Sequence, residues 1–142
     1  GYRTFGMVCP ILPQVDYDAF AESVAGQVNI KKCEHVWAEV LNARGDSMTR
    51  TITALRAAKR NVEADLLQAI AEDKSIWEAA AQNTFTALTK TIPANKLRFL
   101  QYVNASNRSW WAERKDQGAV LLENQVHKSK RLTREPKQGE NI

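Results

Sequence analysis

EHVWAEVLNARGDSMTR, residues 34–50, sets Trp37, Leu41 and Met48 on steps that a helix would share, with Arg44-Gly45-Asp46 between them. The same stripe continues through Ile52, Leu55, Val62, Leu66, Ile70, Trp77, Phe85, Leu88 and Ile92, always on steps compatible with a period near 3.6. A single helix over 34–91 would be roughly 87 Å long. A compact domain of this size is far smaller, so the stripe must be broken. Ser75-Ile-Trp-Glu78 reads as a capping box after the polar Glu72-Asp73-Lys74, and Gly45 is a second break, with Asp46 or Ser47 able to cap the next helix. Pro93 ends the stripe near Thr91 and can open another helix, carrying Leu97, Leu100, Val103, Trp111 and Leu121 or Leu122, with a kink at Gly118.

Upstream, residues 1–15 hold two prolines and two glycines and read as an extended arm. Asp16 or Asp18 can cap a short helix whose apolar face is Tyr17, Phe20, Ala21 and Val24, ending near Gly26. There is no internal repeat and no β-alternation of useful length. The expected fold is therefore all-α: a small bundle of three or four principal helices. Residues 1–126 would form one helical domain, with 1–15 as the arm and 16–126 as the bundle. Residues 127–142 would be a frayed basic tail with little to bury.

That fold constrains the tripeptide. Integrin recognition needs Arg44 and Asp46 splayed from an exposed loop, whereas a continuous helix would turn Gly45 toward the core side. The expectation is a helical Gly45 that permits close packing, with display only if the chain turns there.

With 142 residues the chain is about one domain. Apolar residues at 44% and charged residues at 25% are ordinary for a globular protein, and no apolar run is long enough to span a bilayer. The first residue is Gly1 rather than Met, which reads as a processed chain whose export signal has been removed. Cys9 and Cys33 flank the first helix, so the expectation is a disulfide that staples the arm, contributes about 3 kcal/mol and points to a secreted or periplasmic location. Cys33-Glu34-His35 is not expected to bind a metal, because adjacent donors diverge around a helix and the only other histidine is His127.

The net charge is +4, and the tail after His127, including Lys128, Lys130 and Arg131, holds five of the 20 basic residues. A second basic group, Arg44, Arg50, Arg56, Lys59 and Arg60, is interleaved with Glu63 and Asp65. Nucleic acid wants an unbroken positive stripe, so this mixture reads as a solvated face, and an acidic protein or an anionic envelope surface is the better partner. Trp110 and Trp111 point about 100° apart on a helix, so they form a wide buried face against Trp37 or Trp77, or leave one indole as an interface anchor. The sequons at Asn104 and Asn107 read as incidental.

Enzyme chemistry has no support. The pairs Glu72-Asp73 and Glu113/Asp116 read as solvated charges, no phosphate-cradling glycine loop is present, and no cofactor is implied. In layout alone the chain resembles the helical minor-pilus proteins of bacterial type IV secretion, which implies an exported adhesin displaying Arg44-Gly45-Asp46. The expected function is an exported, non-catalytic helical protein that binds another protein, as an immunity protein, an inhibitor or a surface component. The alternatives are that adhesin and a basic nucleic-acid-binding domain. Self-association is compatible with all three.

Overall fold

The helix expected from residue 34 does not form there: Val36–Val40 is a β-strand. In the computed structural model, which describes residues 1–42 and 46–123, the chain is an α/β fold and not an all-α bundle. β1 (Gly6–Ile11) leads through α1 (Tyr17–Gln27) to β2 (Val36–Val40). Three helices come next: α2 (Asp46–Ala57), α3 (Asn61–Glu72) and α4 (Lys74–Thr91). β3 (Leu97–Val103), α5 (Arg108–Ala112), a 3-10 turn (Lys115–Gln117) and β4 (Ala119–Glu123) complete the described chain. The strands form one sheet in the order β1-β2-β3-β4, with every neighbouring pair parallel.

Why Val36–Val40 is extended can be read from its neighbours. Val36, Ala38 and Val40 are buried while Trp37 and Glu39 are half-buried, a period of two that a strand between two others rewards. β3 repeats the pattern: Leu97, Phe99, Gln101 and Val103 point to the core, while Arg98, Leu100 and Tyr102 point away. Leu97 and Leu100, expected on one helix face, therefore lie on opposite faces of a sheet. The stretch expected to be an arm contains β1, whose Pro10 is tolerated because β1 is an edge strand. The helix does stop at Thr91, before Pro93. The amides of Lys96 and Leu97 then both bond to the Pro93 carbonyl, at 2.9 and 3.0 Å, and that turn feeds a strand and not another helix.

α1, α4 and α5 cover one face of the sheet. Val24, Phe85, Leu88 and Trp111 join Val36, Ala38, Leu97 and Phe99 in the main core. Its aromatic centre is Phe85 edge-on to Phe99 and to Trp111, both at 5.4 Å, with Phe99 and Trp111 stacked at 5.5 Å. α2 and α3 form a hairpin with its own core of Met48, Ile52, Ala64, Leu67 and Ile70. This hairpin meets Leu12 and Leu41 at the carboxyl ends of β1 and β2, and Trp77 seals the junction by donating to the Leu41 carbonyl at 2.9 Å. Val62, assigned to the stripe, is exposed; Ala64, Leu67 and Ile70 face inward, because the break between α2 and α3 resets the helical phase.

The caps are local. Asp16 accepts from the Ala19 amide at 2.9 Å and starts α1. α4 is capped by Asp73, which accepts from the amide and hydroxyl of Ser75, so Ser75 lies inside the helix and the expected Ser75–Glu78 box does not form. Those two bonds, the hydroxyl's first, hold the Asp73 carboxyl below its ordinary range. Glu78 is used elsewhere. One of its oxygens accepts from the Trp111 indole at 2.7 Å and the other from the Asn107 amide at 3.0 Å, fastening α5 and the loop before it to α4.

Two left-handed residues give opposite expectations. Gly118, at φ 112°, closes the 3-10 turn just before β4, and a Cβ there would lie 2.6 Å from the Leu97 carbonyl oxygen. Gly118→Ala should destabilise by about 2 kcal/mol or more, through backbone strain and that collision. Lys59, at φ 59°, comes just after α2, with its amide and that of Arg60 bonded back to Arg56 and Leu55 in a Schellman turn. Lys59→Gly should therefore stabilise by up to about 1 kcal/mol. Thermal unfolding of the two variants checks both signs.

Candidate functional site: the uncovered face of the sheet

Strand parity assigns the opposite face of the sheet without ambiguity. Register pairs Met7 with Trp37 and Trp37 with Arg98, and it pairs Leu100 with Val120 and Tyr102 with Leu122. None of these side chains belongs to either core cluster or packs against one. Met7 is 75% exposed, while Trp37, Leu100, Tyr102, Val120 and Leu122 are half-buried. Parallel sheets are covered on both faces in nearly all proteins. Among the described residues, this one has helices on one face only.

Polar groups punctuate the apolar surface at defined places. Phe5 stacks on His35 at 6.3 Å, and His35 meets Trp37 edge-on at 6.4 Å. Arg98 reaches back along β3: one guanidinium nitrogen bonds the Leu97 carbonyl at 2.8 Å, and the other lies 3.1 Å from His35 Nε2. A guanidinium only donates, so a hydrogen bond between the two needs His35 Nε2 as the acceptor. Glu39 lies two residues beyond Trp37 and is approached by the Cys9 thiol at 3.8 Å. Neither Arg98 nor Glu39 forms an ion pair among the described residues. A shallow groove of about 450 Å³, lined by Arg98, Asn95, Lys115 and Val120 among others, opens at the amino-terminal end of β3 and β4.

The expected Cys9–Cys33 disulfide is absent; both cysteines are free thiols. Parallel register explains it. Cys9 lies three residues past the Gly6–Val36 pair, ~10 Å along the strand, whereas Cys33 precedes that pair, so their Cα atoms exceed the ~7 Å a disulfide spans. The Cys33 carbonyl is instead held at 2.9 Å by the Lys96 ammonium, which also bonds the Ile30 and Lys31 carbonyls. The arm is tied down by backbone bonds from Glu34 to Thr4 and from Gly6 to His35, both 2.9 Å, and by the two-pronged Arg3–Glu34 pair at 2.5 and 2.8 Å. That hydrogen-bonded guanidinium holds the Glu34 carboxyl below its ordinary range.

The other singled-out residues separate. Arg44 and Gly45 lie outside the described residues, and Asp46 is the exposed first residue of α2. Because β2 interrupts the stripe before the tripeptide, no helix runs continuously from Trp37 through Gly45. Lys128, Lys130 and Arg131 also lie outside the described residues. Trp111 is fully buried, with Phe85 and Phe99 as neighbours in place of Trp37 or Trp77. Trp110 is half-buried beneath the Arg114 guanidinium, 3.6 Å from the ring centroid. Asn107 is buried and bonded, and Asn104 is exposed where its side chain turns the chain after β3. In the second basic group Arg56 pairs with Asp65 at 3.0 Å, and Arg60 pairs with Glu63.

No family model, no curated protein and no solved structure matches this chain. Among the described residues, no three His, Cys, Asp or Glu side chains are grouped to hold a metal ion, and no helix is long and apolar enough to cross a membrane.

Sequence patterning did not reveal Trp37, Glu39, Arg98, Leu100 and Tyr102 as one surface. A signal was present in the alternations W-x-E at 37–39 and R-x-L-x-Y at 98–102, but helical stripes absorbed Trp37 and Leu100.

Cys9 is a built-in reporter of this face. Partial burial, then the Glu39 carboxylate, push its thiol above the ordinary cysteine range. Alkylation of Cys9 should therefore rise with pH only beyond that range, and Glu39→Gln should shift the profile to lower pH. Peptide mapping that separates Cys9 from Cys33 checks it. An unchanged profile in Glu39→Gln would break the assignment of Glu39 to this face.

Proposed function

We propose that this chain is a non-catalytic protein-binding module whose uncovered sheet face is the docking surface. The single observation that carries the reading is a parallel sheet that, among the described residues, has helices on one face only and a contiguous surface of Trp37, Leu100, Tyr102, Val120 and Leu122 on the other. An apolar sheet face of that kind is a binding surface by default, and large aromatic side chains at its centre are the usual anchors of protein interfaces. Arg98 and Glu39 supply charges that fix orientation more than affinity. Nucleic acid is the weaker reading. Of the 20 Lys and Arg, six fall in 43–45 and 124–142, as do two of the 16 Asp and Glu, so the described body carries 14 of each and no net positive charge. With both thiols free, the cysteines no longer argue for export, and the minor-pilus likeness falls with the helical bundle on which it rested.

A photo-crosslinking residue placed at Leu100, with Asn83 on exposed α4 as control, tests the reading in extract of the source cells. The expected result is one saturable protein adduct from Leu100 and none from Asn83. Excess wild-type protein should compete it away, and Leu100→Lys protein should not. Absence of any competed adduct from Leu100 would overturn the reading.

A further inference from the structure

Resting on that reading, the geometry points to a second copy of this chain as the occupant of the uncovered face, packed sheet to sheet about a two-fold axis. Four features carry the step from an open face to this occupant.

Charge is the first. Any apolar cover laid over the face would strip water from Arg98 and Glu39, two half-buried ions with no ion pair among the described residues. An ion enclosed without a partner is expensive, so the occupant must bring an anion for Arg98 and a cation for Glu39. Within the chain the two do not meet. Arg98 is level with Trp37, Glu39 is two residues further along the neighbouring strand, and the guanidinium is turned back toward His35.

Symmetry is the second. A two-fold axis lying in the interface, crossing midway between these positions, exchanges them: each Arg98 faces the other copy's Glu39 and each Glu39 the other copy's Arg98. An isologous contact requires such self-complementarity, and one cation and one anion offset about a centre supply it.

The third is the charge balance of the described residues. Their equal numbers of basic and acidic side chains add no net repulsion between two copies, and the chain's excess of +4 falls in residues 43–45 and 124–142. The fourth is architecture. The exposed alternation on β2, β3 and β4 is that of the inner layer of a sandwich, and face-to-face sheets ~10 Å apart bury it on both sides.

Size sets the strength. Four strands of at most seven residues give a flat footprint on the order of 400 Å², below the ~800 Å² per partner of a standard interface. The dimer is therefore weak and concentration-dependent, forming toward the high-micromolar range.

Sedimentation equilibrium of the whole chain from about 1 μM to about 1 mM tests it. The wild type should pass from monomer to dimer and no further. Arg98→Glu and Glu39→Arg should each weaken association at least tenfold by opposing like charges, and the double swap should restore it to within a few-fold of wild type. Leu100→Lys, near the middle of the face, should abolish the dimer and serves if a charge variant fails to fold, with near-UV dichroism checking the fold of each. A wild type monomeric throughout overturns the second-copy occupant, as does a dimer insensitive to Leu100→Lys. Failure of the swap to rescue overturns the Arg98–Glu39 pairing on which the occupant was chosen. A monomer whose Leu100 crosslinker captures a different protein would leave the docking face standing and remove only the second copy. A monomer with no adduct would remove both.

Discussion

Handedness of the crossover governs this molecule. A strand, a crossover and a parallel neighbouring strand almost always form a right-handed unit, and here each new strand is added to the same edge, in the order β1-β2-β3-β4. When the direction of growth never reverses, successive right-handed crossovers fall on the same side of the sheet. Doubly wound proteins reverse direction once, and that reversal brings helices to the second face. This chain makes no such reversal among the described residues. The face left without helices among the described residues is a consequence of strand order.

The covered side answers that constraint with one well-packed layer. Phe85 on α4 touches both Phe99 on β3 and Trp111 on α5, so a single side chain joins helix, sheet and the final crossover. Glu78, two turns earlier on α4, adds directional bonds to Trp111 and Asn107 and fixes where β3 leaves the sheet and α5 begins. A carboxylate accepting from two buried or half-buried donors is a stronger tie than neutral hydrogen bonds supply. Gln101 is the exception within this layer. Its side-chain oxygen is buried with no hydrogen-bond partner among the described residues, which costs stability.

The two faces of the sheet differ in how their side chains are used. The helix side is consumed by stability, and its surface charges pair locally, as Arg56 does with Asp65 and Lys90 with Asp18. The sheet side holds half-buried aromatics and two ions, Arg98 and Glu39, that form no ion pair among the described residues. A binding role puts that surface to use without demanding a perturbed acid, base or nucleophile. The one shifted nucleophile on it, Cys9, is moved toward the protonated and less reactive form.

Several elements were legible in the residues alone. Asp16 capping α1, the stop of α4 before Pro93, the break near Ser75 and the Arg60–Glu63 pair at the start of α3 all depend on atoms within a few positions in the chain. Helices close their hydrogen bonds four residues back, so their signals are local. Strands do not. The Val36 amide donates to the Lys96 carbonyl sixty residues away, and the Phe99 amide donates to Gly118 across the last crossover. Val36–Val40 is five residues whose apolar positions also fit a helical stripe, and the inward alternation of β3 is interrupted by Gln101, so neither announces a strand by itself. The uncovered face was hidden for the same reason: Trp37, Arg98, Leu100 and Val120 become neighbours only when β2, β3 and β4 align. Local sequence marked the Asp16 cap and the stop before Pro93. Tertiary pairing decided which segments would be strands, and with them which side chains would share a surface.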